Sequence, residues 1–401
     1  MLNDDPRERQ DGLGWVTRAV FGDPRLRFAV GDDPAASVRF AVIPSLDNAR
    51  FLLPLASRRV TAASVLAYNA LRPPKVRAGR AAVGLVARIG ALGLTRVPIL
   101  SVHAPAPDLL LSAFLAKRLG EPVLHAAIGI RPPDPHHKPT LQLFEAAGRP
   151  RGYAKIGWND GTRAMVRAEV AALAKLPAGN GFPAAPGLLL HTQWQDREIA
   201  VIAPMPRRVR RIRKPDTPRL AAMLAVARRG GPATEPQPIT GLLAGWRERA
   251  RDGGPRIGAI IHALSECHGD LRLELGEWHG DWVPWNMARH RGGLLVWDWE
   301  NQAAGVPVGF DLAHQAFQTV LSIHGRPAAA CATAVDEALA RFGATLGLTE
   351  RQRQFVADGY LVELWLRTYE LSAGGAGWNP KLHPALLDVL DDRGRAMSTA
   401  S

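Results

Sequence analysis

The triplet His-Gly-Asp occurs twice within a short stretch, at residues 268–270 and 279–281. The copies differ at the position five residues beyond each aspartate, where the first has a leucine and the second has Asn286. The alternation of apolar and polar residues after the first copy predicts a strand that leads into the second. We interpret the second triplet as the candidate site, because its loop joins an amide side chain to the carboxylate of Asp281.

Another aspartate follows the candidate site in a defined setting. The stretch LLVWDWE at residues 294–300 is an apolar run that ends at Asp298, and RHRGG just before it predicts a hairpin turn. Phosphoryl transfer from a nucleotide requires a carboxylate beside the acceptor hydroxyl and oxygen ligands for magnesium on the phosphates. Asp281, Asn286 and Asp298 supply these groups in that order.

Three segments together resemble the aminoglycoside phosphotransferase and choline kinase-like family of small-molecule kinases: HGDWVPWN, VWDWE and GFDLAHQAF, at residues 279–286, 296–300 and 309–317. The resemblance covers about residues 121–395. It implies an α+β, two-lobed protein-kinase-like fold with a small five-stranded N-lobe and a mainly helical C-lobe. It also implies an enzyme that uses ATP or GTP with Mg²⁺ to phosphorylate a hydroxyl of a small molecule.

The resemblance assigns a role to each residue that matches the family pattern. Asp281 is expected to be the catalytic base that accepts or orients the substrate hydroxyl. Asn286 and Asp298 are expected to hold magnesium. His279 and Asp311 are expected to support the catalytic loop through hydrogen bonds rather than to act on substrate.

The expected nucleotide-binding lobe has a lysine and a glutamate at suitable places. Apolar runs bounded by turns predict five strands at about residues 121–130, 140–146, 152–158, 187–193 and 197–204, with a helix at 161–176 after the third. Lys155 in the third strand and Glu169 in the helix are the expected ion pair that holds the nucleotide phosphates. Ala203 and Met205, at the end of the last strand, are the expected backbone contacts to the base.

The loop between the first two of these strands departs from the family pattern. Residues 129–140 are rich in Pro and His, whereas backbone amides approach phosphates closely only where side chains are small. His136, His137 or Lys138 is a candidate for side-chain contacts in place of backbone contacts. Whether this loop binds phosphates is left open.

The remaining parts of the chain complete the domain organisation. Residues 1–120 are expected to be an N-terminal α+β extension of unknown role, with a hairpin at 39–56. Residues 121–206 are the expected nucleotide-binding lobe, and residues 207–401 the catalytic and acceptor-binding lobe. Helices are predicted at about residues 57–71, 75–93, 107–119, 216–229, 239–251, 255–266, 310–322, 329–346, 350–372 and 382–395.

Composition limits the partners and the compartment. The net charge of +13 and the arginine-rich run at residues 207–214 leave nucleic-acid or polyanion binding as an alternative, but aromatic residues do not interleave with the basic ones as a stacking platform requires. The most apolar stretch, at 81–95, contains Arg88 and is shorter than a bilayer span. Two cysteines and the absence of a signal-peptide pattern favour the reducing cytoplasm.

The identity of the acceptor is only partly constrained. The predicted C-terminal helices carry a mixed set of charges, which favours a sugar, amino sugar or related metabolite over a polycationic antibiotic. Glu300 is either a residue of the acceptor pocket or a solvated residue at a strand end. A catalytically silent binding protein with a kinase fold is a further alternative, and the oligomeric state is left open.

Overall fold

The computed structural model describes residues 12–67, 72, 74–90, 97–130, 137–176, 182–206, 208–212, 217–229, 235–290 and 293–400. The chain divides into two compact units. The N-terminal unit consists of Met1–Ala174 and Pro186–Arg211, and the C-terminal unit consists of Lys175–Ala185 and Ile212–Ser401. Among the described residues, none of the helices combines the length and the apolar character needed to span a bilayer.

The N-terminal unit is built around one antiparallel sheet. Its elements are α1 (Gly12–Val20), β1 (Arg27–Val30), β2 (Val38–Ile43), β3 (Phe51–Pro54), α2 (Arg58–Leu66), α3 (Pro74–Ile89), β4 (Ile99–His103), α4 (Leu111–Leu119), β5 (His125–Gly129), β6 (Thr140–Phe144), β7 (Pro150–Gly157), α5 (Asp160–Lys175), β8 (Leu188–Trp194), β9 (Arg197–Ile202) and the short β10 (Arg210–Arg211). Within the described residues the strand order is β1-β4-β2-β3-β5-β6-β7-β9-β8.

The five strands expected from residue 121 onward are present as β5 to β9, but they do not form a sheet of their own. Strand β3 pairs with β5, with Phe51 opposite Gly129 and Leu52 opposite Ile128, so the strands of the N-terminal region extend the same sheet. This pairing covers the edge of β5, which would otherwise present unpaired backbone groups. The expected hairpin at 39–56 is formed by β2 and β3, whereas β1 and β4 are additional strands.

The N-terminal region and the later strands also share a core. Val16 of α1, Leu52 of β3 and Leu115 of α4 are fully buried in the same apolar cluster as Leu143 and Ile199. Since burial of apolar surface is the main favourable contribution to folding, the two sequence regions stabilise each other.

A buried arginine of β9 also binds helix α1. Arg197 is 3 % exposed. It donates to the carbonyls of Ala19 and Arg18 at 3.0 and 3.1 Å. A cation that bonds the last carbonyls of a helix satisfies acceptors that have no partner within the helix.

Deletion of residues 1–120 is therefore expected to abolish folding of the N-terminal unit. The deletion would remove β1 to β4 and expose the edge of β5 and the inner faces of β6 and β9. We expect fragment 121–401 to be insoluble or to lack a cooperative thermal unfolding transition monitored by circular dichroism. Deletion of residues 1–11, which removes none of the described elements, is the control, and a cooperatively folded 121–401 fragment would contradict the shared core.

The C-terminal unit is mainly helical, as the sequence predicts. Its elements are α6 (Leu220–Ala227), β11 (Gln237–Pro238), α7 (Thr240–Arg249), α8 (Pro255–His268), β12 (Arg272–Leu273), β13 (Leu275–Trp278), β14 (Met287–His290), β15 (Gly293–Val296), β16 (Ala303–Pro307), α9 (Phe310–Gln318), α10 (Ala328–Phe342), α11 (Glu350–Leu371) and α12 (Ala385–Ala400). Strands β14 and β15 form the expected hairpin, and β13 pairs with β16.

Helix α11 lies at the centre of the C-terminal unit. It begins with a capping box, in which the Thr349 hydroxyl accepts from the amide of Gln352 and the Gln352 side chain accepts from the amide of Thr349. Its side chains are buried from Phe355 to Leu366 without interruption. A polar side chain on a helix that is buried on all sides is stable only if it is hydrogen-bonded. Tyr360 and Glu363 are two such residues of α11, and both have hydrogen-bond partners.

Candidate active site

The second His-Gly-Asp triplet forms a tight loop between β13 and the 3₁₀ turn Pro284–Asn286. Gly280 has a φ of +76°, and a Cβ at this position would overlap the carbonyl of Asn301. The glycine is thus required both by the left-handed backbone conformation and by the close approach of a neighbouring chain segment.

His279 supports this loop through the contacts of its imidazole ring. Its ring is fully buried and lies edge-on against Trp299, with centroids 4.4 Å apart. The Nδ1 atom accepts from the amide of Asp281 at 3.1 Å, and Nε2 lies 3.1 Å from the carbonyl of Trp297. Nε2 therefore carries the proton, and burial lowers the pKa of His279 to about 4, which keeps the ring neutral.

Asp311 binds the backbone of the same loop. Its carboxylate, in the first turn of α9, accepts from the amides of His279 at 2.9 Å and Gly280 at 3.1 Å. Burial raises the pKa of Asp311 to about 7, and the two amide hydrogen bonds oppose this rise. His279 and Asp311 thus lie where loop-supporting residues are expected.

The raised pKa of Asp311 leads to an expected pH dependence of stability. Because the pKa is about 7 in the folded protein and near 4 in the unfolded chain, the native state binds an additional proton between these values. The contribution of Asp311 to the free energy of unfolding therefore decreases as the pH rises from about 4 to 7, by at most about 1.4 kcal/mol per pH unit. Urea unfolding of the wild type and of Asp311→Asn at several pH values measures this difference, and parallel pH curves for the two proteins would contradict it.

Both oxygens of the Asp281 carboxylate are hydrogen-bonded. Oδ1 lies 3.0 Å from Nε2 of His314 in α9, and Oδ2 accepts from Nδ2 of Asn286 at 2.7 Å. Burial opposes ionisation, but the hydrogen bond from His314 and the positive charge of Arg367 favour it, and the pKa of Asp281 is lowered to about 2. The carboxylate is consequently ionised and has a fixed orientation at neutral pH.

Asn286 and Asp298 carry the oxygen atoms suited to a magnesium ion. The Asn286 amide nitrogen is directed at Asp281, which leaves its carbonyl oxygen as the ligand atom. Asp298 follows β15 in the left-handed conformation, with φ +65° and ψ +57°. A non-glycine residue in this region is uncommon and often marks a functional position. The donor set, one amide and one carboxylate oxygen in the C-terminal unit, fits the preference of Mg²⁺ for oxygen ligands.

The N-terminal unit contains the expected lysine–glutamate pair. Nζ of Lys155 in β7 lies 2.7 Å from Oε1 of Glu169 in α5. The two residues are 8 % and 1 % exposed. Removing a charge from water costs several kcal/mol. The attraction between Lys155 and Glu169 therefore has to offset this cost inside the unit.

The other expected nucleotide contacts are Ala203, Met205 and the loop at residues 129–140. The amide of Ala203 donates to the carbonyl of Gly187 at 2.8 Å, so only its carbonyl is left to accept from a base. Met205 is half-buried. In the loop at 129–140, Lys138 is buried and its Nζ lies 3.9 Å from the sulfur of Met165, whereas His136 lies outside the described residues.

The first His-Gly-Asp triplet, which the sequence analysis did not choose as the candidate site, has a different structure. It marks the end of helix α8, and Gly269 has helical backbone angles. Asp270 pairs with Arg351 at the surface, where Nη1 of the arginine lies 2.9 Å from the carboxylate.

Three residues near Asp281 were not predicted to belong to the site. His314 contacts the Asp281 carboxylate, and Tyr360 contacts His314 through its hydroxyl at 3.2 Å. Arg367 donates to the carbonyl of Gly280 at 2.7 Å. His314 stands three residues after Asp311 on the same helix, a spacing that could have indicated it, whereas Tyr360 and Arg367 come from α11, far along the chain.

Four acidic residues of the C-terminal helices α11 and α12 are paired with arginines. Glu363 and Glu370 both bind Arg249, through contacts of 2.6 Å. Asp388 and Asp391 both bind Arg256. Glu300 lies in the 3₁₀ turn Trp299–Asn301 directly after Asp298 and is half-buried.

The structure is similar to those of known small-molecule kinases, although no protein-family model and no curated protein matches the sequence. A putative fructosamine-3-kinase from Haemophilus somnus 129PT is 13 % identical with a TM-score of 0.44, over 72 % of this chain and 96 % of that one. A thermostable mutant of the aminoglycoside phosphotransferase APH(4)-Ia, in complex with ADP and hygromycin B, is 13 % identical with a TM-score of 0.41, over 73 % and 98 %. A choline/ethanolamine kinase family protein from Mesorhizobium loti is 13 % identical with a TM-score of 0.35, over 66 % and 85 %.

Proposed function

We propose that the protein is a magnesium- and nucleotide-dependent phosphotransferase that moves the γ-phosphate of ATP or GTP to a hydroxyl of a small molecule. The observation that carries the proposal is the Asp281 carboxylate, which is ionised and bonded on both oxygens in a loop whose backbone Asp311 fixes. In this proposal residues 121–206 bind the nucleotide and residues 207–401 carry catalysis and the acceptor.

Asp281 is suited to orient a hydroxyl rather than to remove its proton early. A carboxylate with a pKa near 2 is a weak base toward an alcohol. Phosphoryl transfer has a loose transition state in most descriptions, so the acceptor oxygen needs alignment and little prior deprotonation. The carboxylate would hold the hydroxyl in line and receive its proton late in the transfer.

The remaining groups would handle the charge of the phosphates. Asn286 and Asp298 would hold Mg²⁺, which when bound neutralises charge that develops on the phosphates. Lys155 would bind phosphate oxygens while Glu169 fixes the direction of its ammonium group. The carbonyl of Ala203 and the backbone of Met205 are the proposed contacts to the base.

The acceptor is proposed to be a sugar, an amino sugar or a related metabolite. Polycationic acceptors require acids that are available for binding, but Glu363 and Glu370 bind Arg249, and Asp388 and Asp391 bind Arg256. A polycation would have to displace these arginines. A neutral or singly charged acceptor avoids this competition.

A screen for acceptor-stimulated release of ADP or GDP tests the proposal. The purified protein with Mg²⁺ is assayed against sugars, amino sugars, aminoglycosides and amino alcohols, and nucleotide binding is followed in parallel by thermal shift. We expect Mg²⁺-dependent nucleotide binding and release that is stimulated by at least one sugar-like acceptor. Binding without release would favour the catalytically silent alternative, and failure to bind ATP or GTP would contradict the proposal.

A further inference from the structure

The resemblance assigns no role to two residues near Asp281. One is a histidine that contacts the Asp281 carboxylate, and the other is a tyrosine that contacts this histidine. His314 is 1 % exposed and Tyr360 is fully buried. Both are polar residues in an apolar surrounding, where a polar group is stable only if it is hydrogen-bonded. Their bonds connect helix α11 through helix α9 to the loop.

The hydrogen bonds determine which ring nitrogen of His314 carries the proton. Asn286 donates to one oxygen of the Asp281 carboxylate, and the other oxygen, Oδ1, accepts from Nε2 of His314 at 3.0 Å. Nδ1 of a neutral ring is then an acceptor, and the Tyr360 hydroxyl at 3.2 Å is the group that donates to it. Burial lowers the pKa of His314, which is consistent with a neutral ring.

The ring is also held in its plane by aromatic contacts. It lies perpendicular to the ring of Trp278, with centroids 6.3 Å apart, and to that of Tyr360, with centroids 5.9 Å apart. Both neighbours are buried, so the imidazole has little freedom to tilt away from the carboxylate.

We propose that His314, with its tautomer set by Tyr360, is a positioning residue that fixes the rotation of the Asp281 carboxylate for the acceptor hydroxyl. This inference rests on the proposed function. Asn286 binds Oδ2 and the His314–Tyr360 pair binds Oδ1, so neither oxygen can rotate without losing a hydrogen bond. The carboxylate therefore presents the same lone pairs in every catalytic cycle.

The His314–Tyr360 pair binds the side chain of Asp281, whereas other residues bind the backbone of the loop. Asp311 binds the amides of residues 279 and 280, and Arg367 binds the carbonyl of Gly280. Loss of the His314–Tyr360 pair should consequently impair catalysis without loosening the loop backbone. This separation makes a positioning role distinguishable from a general structural role.

Substitutions at the two residues test the pair by their effects on kcat. A change of His314 to leucine removes the donor, and we expect kcat to fall on the order of 100-fold, with the KM for nucleotide within about twofold, because misorientation of a catalytic group has effects of this size. His314→Gln places an amide N–H close to the position of Nε2 and is expected to recover most of the lost activity. Tyr360→Phe should have an intermediate effect. An unchanged kcat in His314→Leu, or an equal loss in both His314 variants, would overturn the proposal.

A matched control separates positioning from the general effect of replacing a buried histidine. His268 in the same unit is 3 % exposed and packs edge-on against Phe355. His268→Leu is expected to leave kcat within about twofold even where it lowers the melting temperature.

A measurement that does not depend on activity keeps this inference separate from the proposed function. The ¹⁵N shifts of the ring nitrogens of His314 in the full-length protein report the tautomer, and the spectrum of His314→Gln identifies its signals. We expect a proton on Nε2 and none on Nδ1. A proton on Nδ1 would overturn the pair, whereas the expected tautomer in a protein that transfers no phosphate would count against the proposed function alone.

Discussion

Replacement of Asp281 by asparagine is expected to lower kcat about 1,000-fold, within the range attributed to a positioned acid–base group. Asparagine keeps the shape of the side chain but carries no negative charge. Its amide nitrogen would also face Nδ2 of Asn286 or Nε2 of His314, so one hydrogen bond is replaced by two opposed donors. We expect the free energy of unfolding to fall by only about 1 kcal/mol, because the loop backbone remains bound to Asp311.

The chain itself provides the control for this substitution. Asp270 has the same His-Gly-Asp context but lies at the surface and pairs with Arg351. Asp270→Asn should keep kcat within about twofold of the wild type, since Asp270 does not lie on the loop at residues 279–286. The free energy of unfolding should also change little, because a surface ion pair contributes little to stability. Steady-state kinetics of both variants, with urea unfolding to confirm the fold, make the comparison. Equal activity of Asp281→Asn and Asp270→Asn would remove Asp281 from the mechanism.

Replacement of Lys155 by methionine is expected to affect both stability and activity. The change removes the ammonium group 2.7 Å from a Glu169 carboxylate that is 1 % exposed. Removal of one partner of a buried ion pair commonly costs about 3–5 kcal/mol, and we expect a decrease in the free energy of unfolding near this range. We also expect kcat/KM for nucleotide to fall on the order of 100-fold, as for the loss of one charge-stabilising donor.

A double variant separates these two effects. Lys155→Met combined with Glu169→Leu removes the remaining carboxylate, and apolar replacements of a buried pair are often neutral or stabilising. Stability should therefore return toward the wild-type value while activity stays low. Urea unfolding and nucleotide kinetics of the single and double variants measure this. Recovery of activity together with stability would mean that the pair has a structural role only.

Local sequence patterns were sufficient to predict most secondary structure. The strands β5 to β9, the helices of the C-terminal unit and the β14–β15 hairpin lie within a few residues of the expected ranges. Each of them has a clear apolar period or a turn signal at its ends. Strands β1 and β4, with four and five residues, were not predicted.

The extent of the sheet could not be predicted from local patterns. The pairing of β3 with β5 joins residues that are about 75 positions apart in the sequence. Such a pairing depends on loop closure and on packing against a common core, and neither leaves a local signal. For this reason the sheet of the described residues has nine strands and not the five that were predicted for the N-lobe.

The candidate site shows the same division between local and long-range information. Asp281 and Asn286 were predicted from spacing because both lie on one loop, and their side chains are bonded to each other in the structure. Tyr360 and Arg367 lie seven residues apart on α11, and only the tertiary packing of this helix brings them to the loop. A helix that is buried on all sides has no amphipathic period from which such positions could be identified.

The most direct test of the central claim is to follow the γ-phosphoryl group itself. Nucleotide labelled in the γ-phosphate is incubated with Mg²⁺, an acceptor that stimulates nucleotide release, and either the wild type, Asp270→Asn or Asp281→Asn. We expect the label in the acceptor with the wild type and with Asp270→Asn, and transfer that is about 1,000-fold slower with Asp281→Asn. Label that appears only as inorganic phosphate with the wild type, or that reaches the acceptor at an equal rate with Asp281→Asn, would contradict a phosphotransferase centred on Asp281.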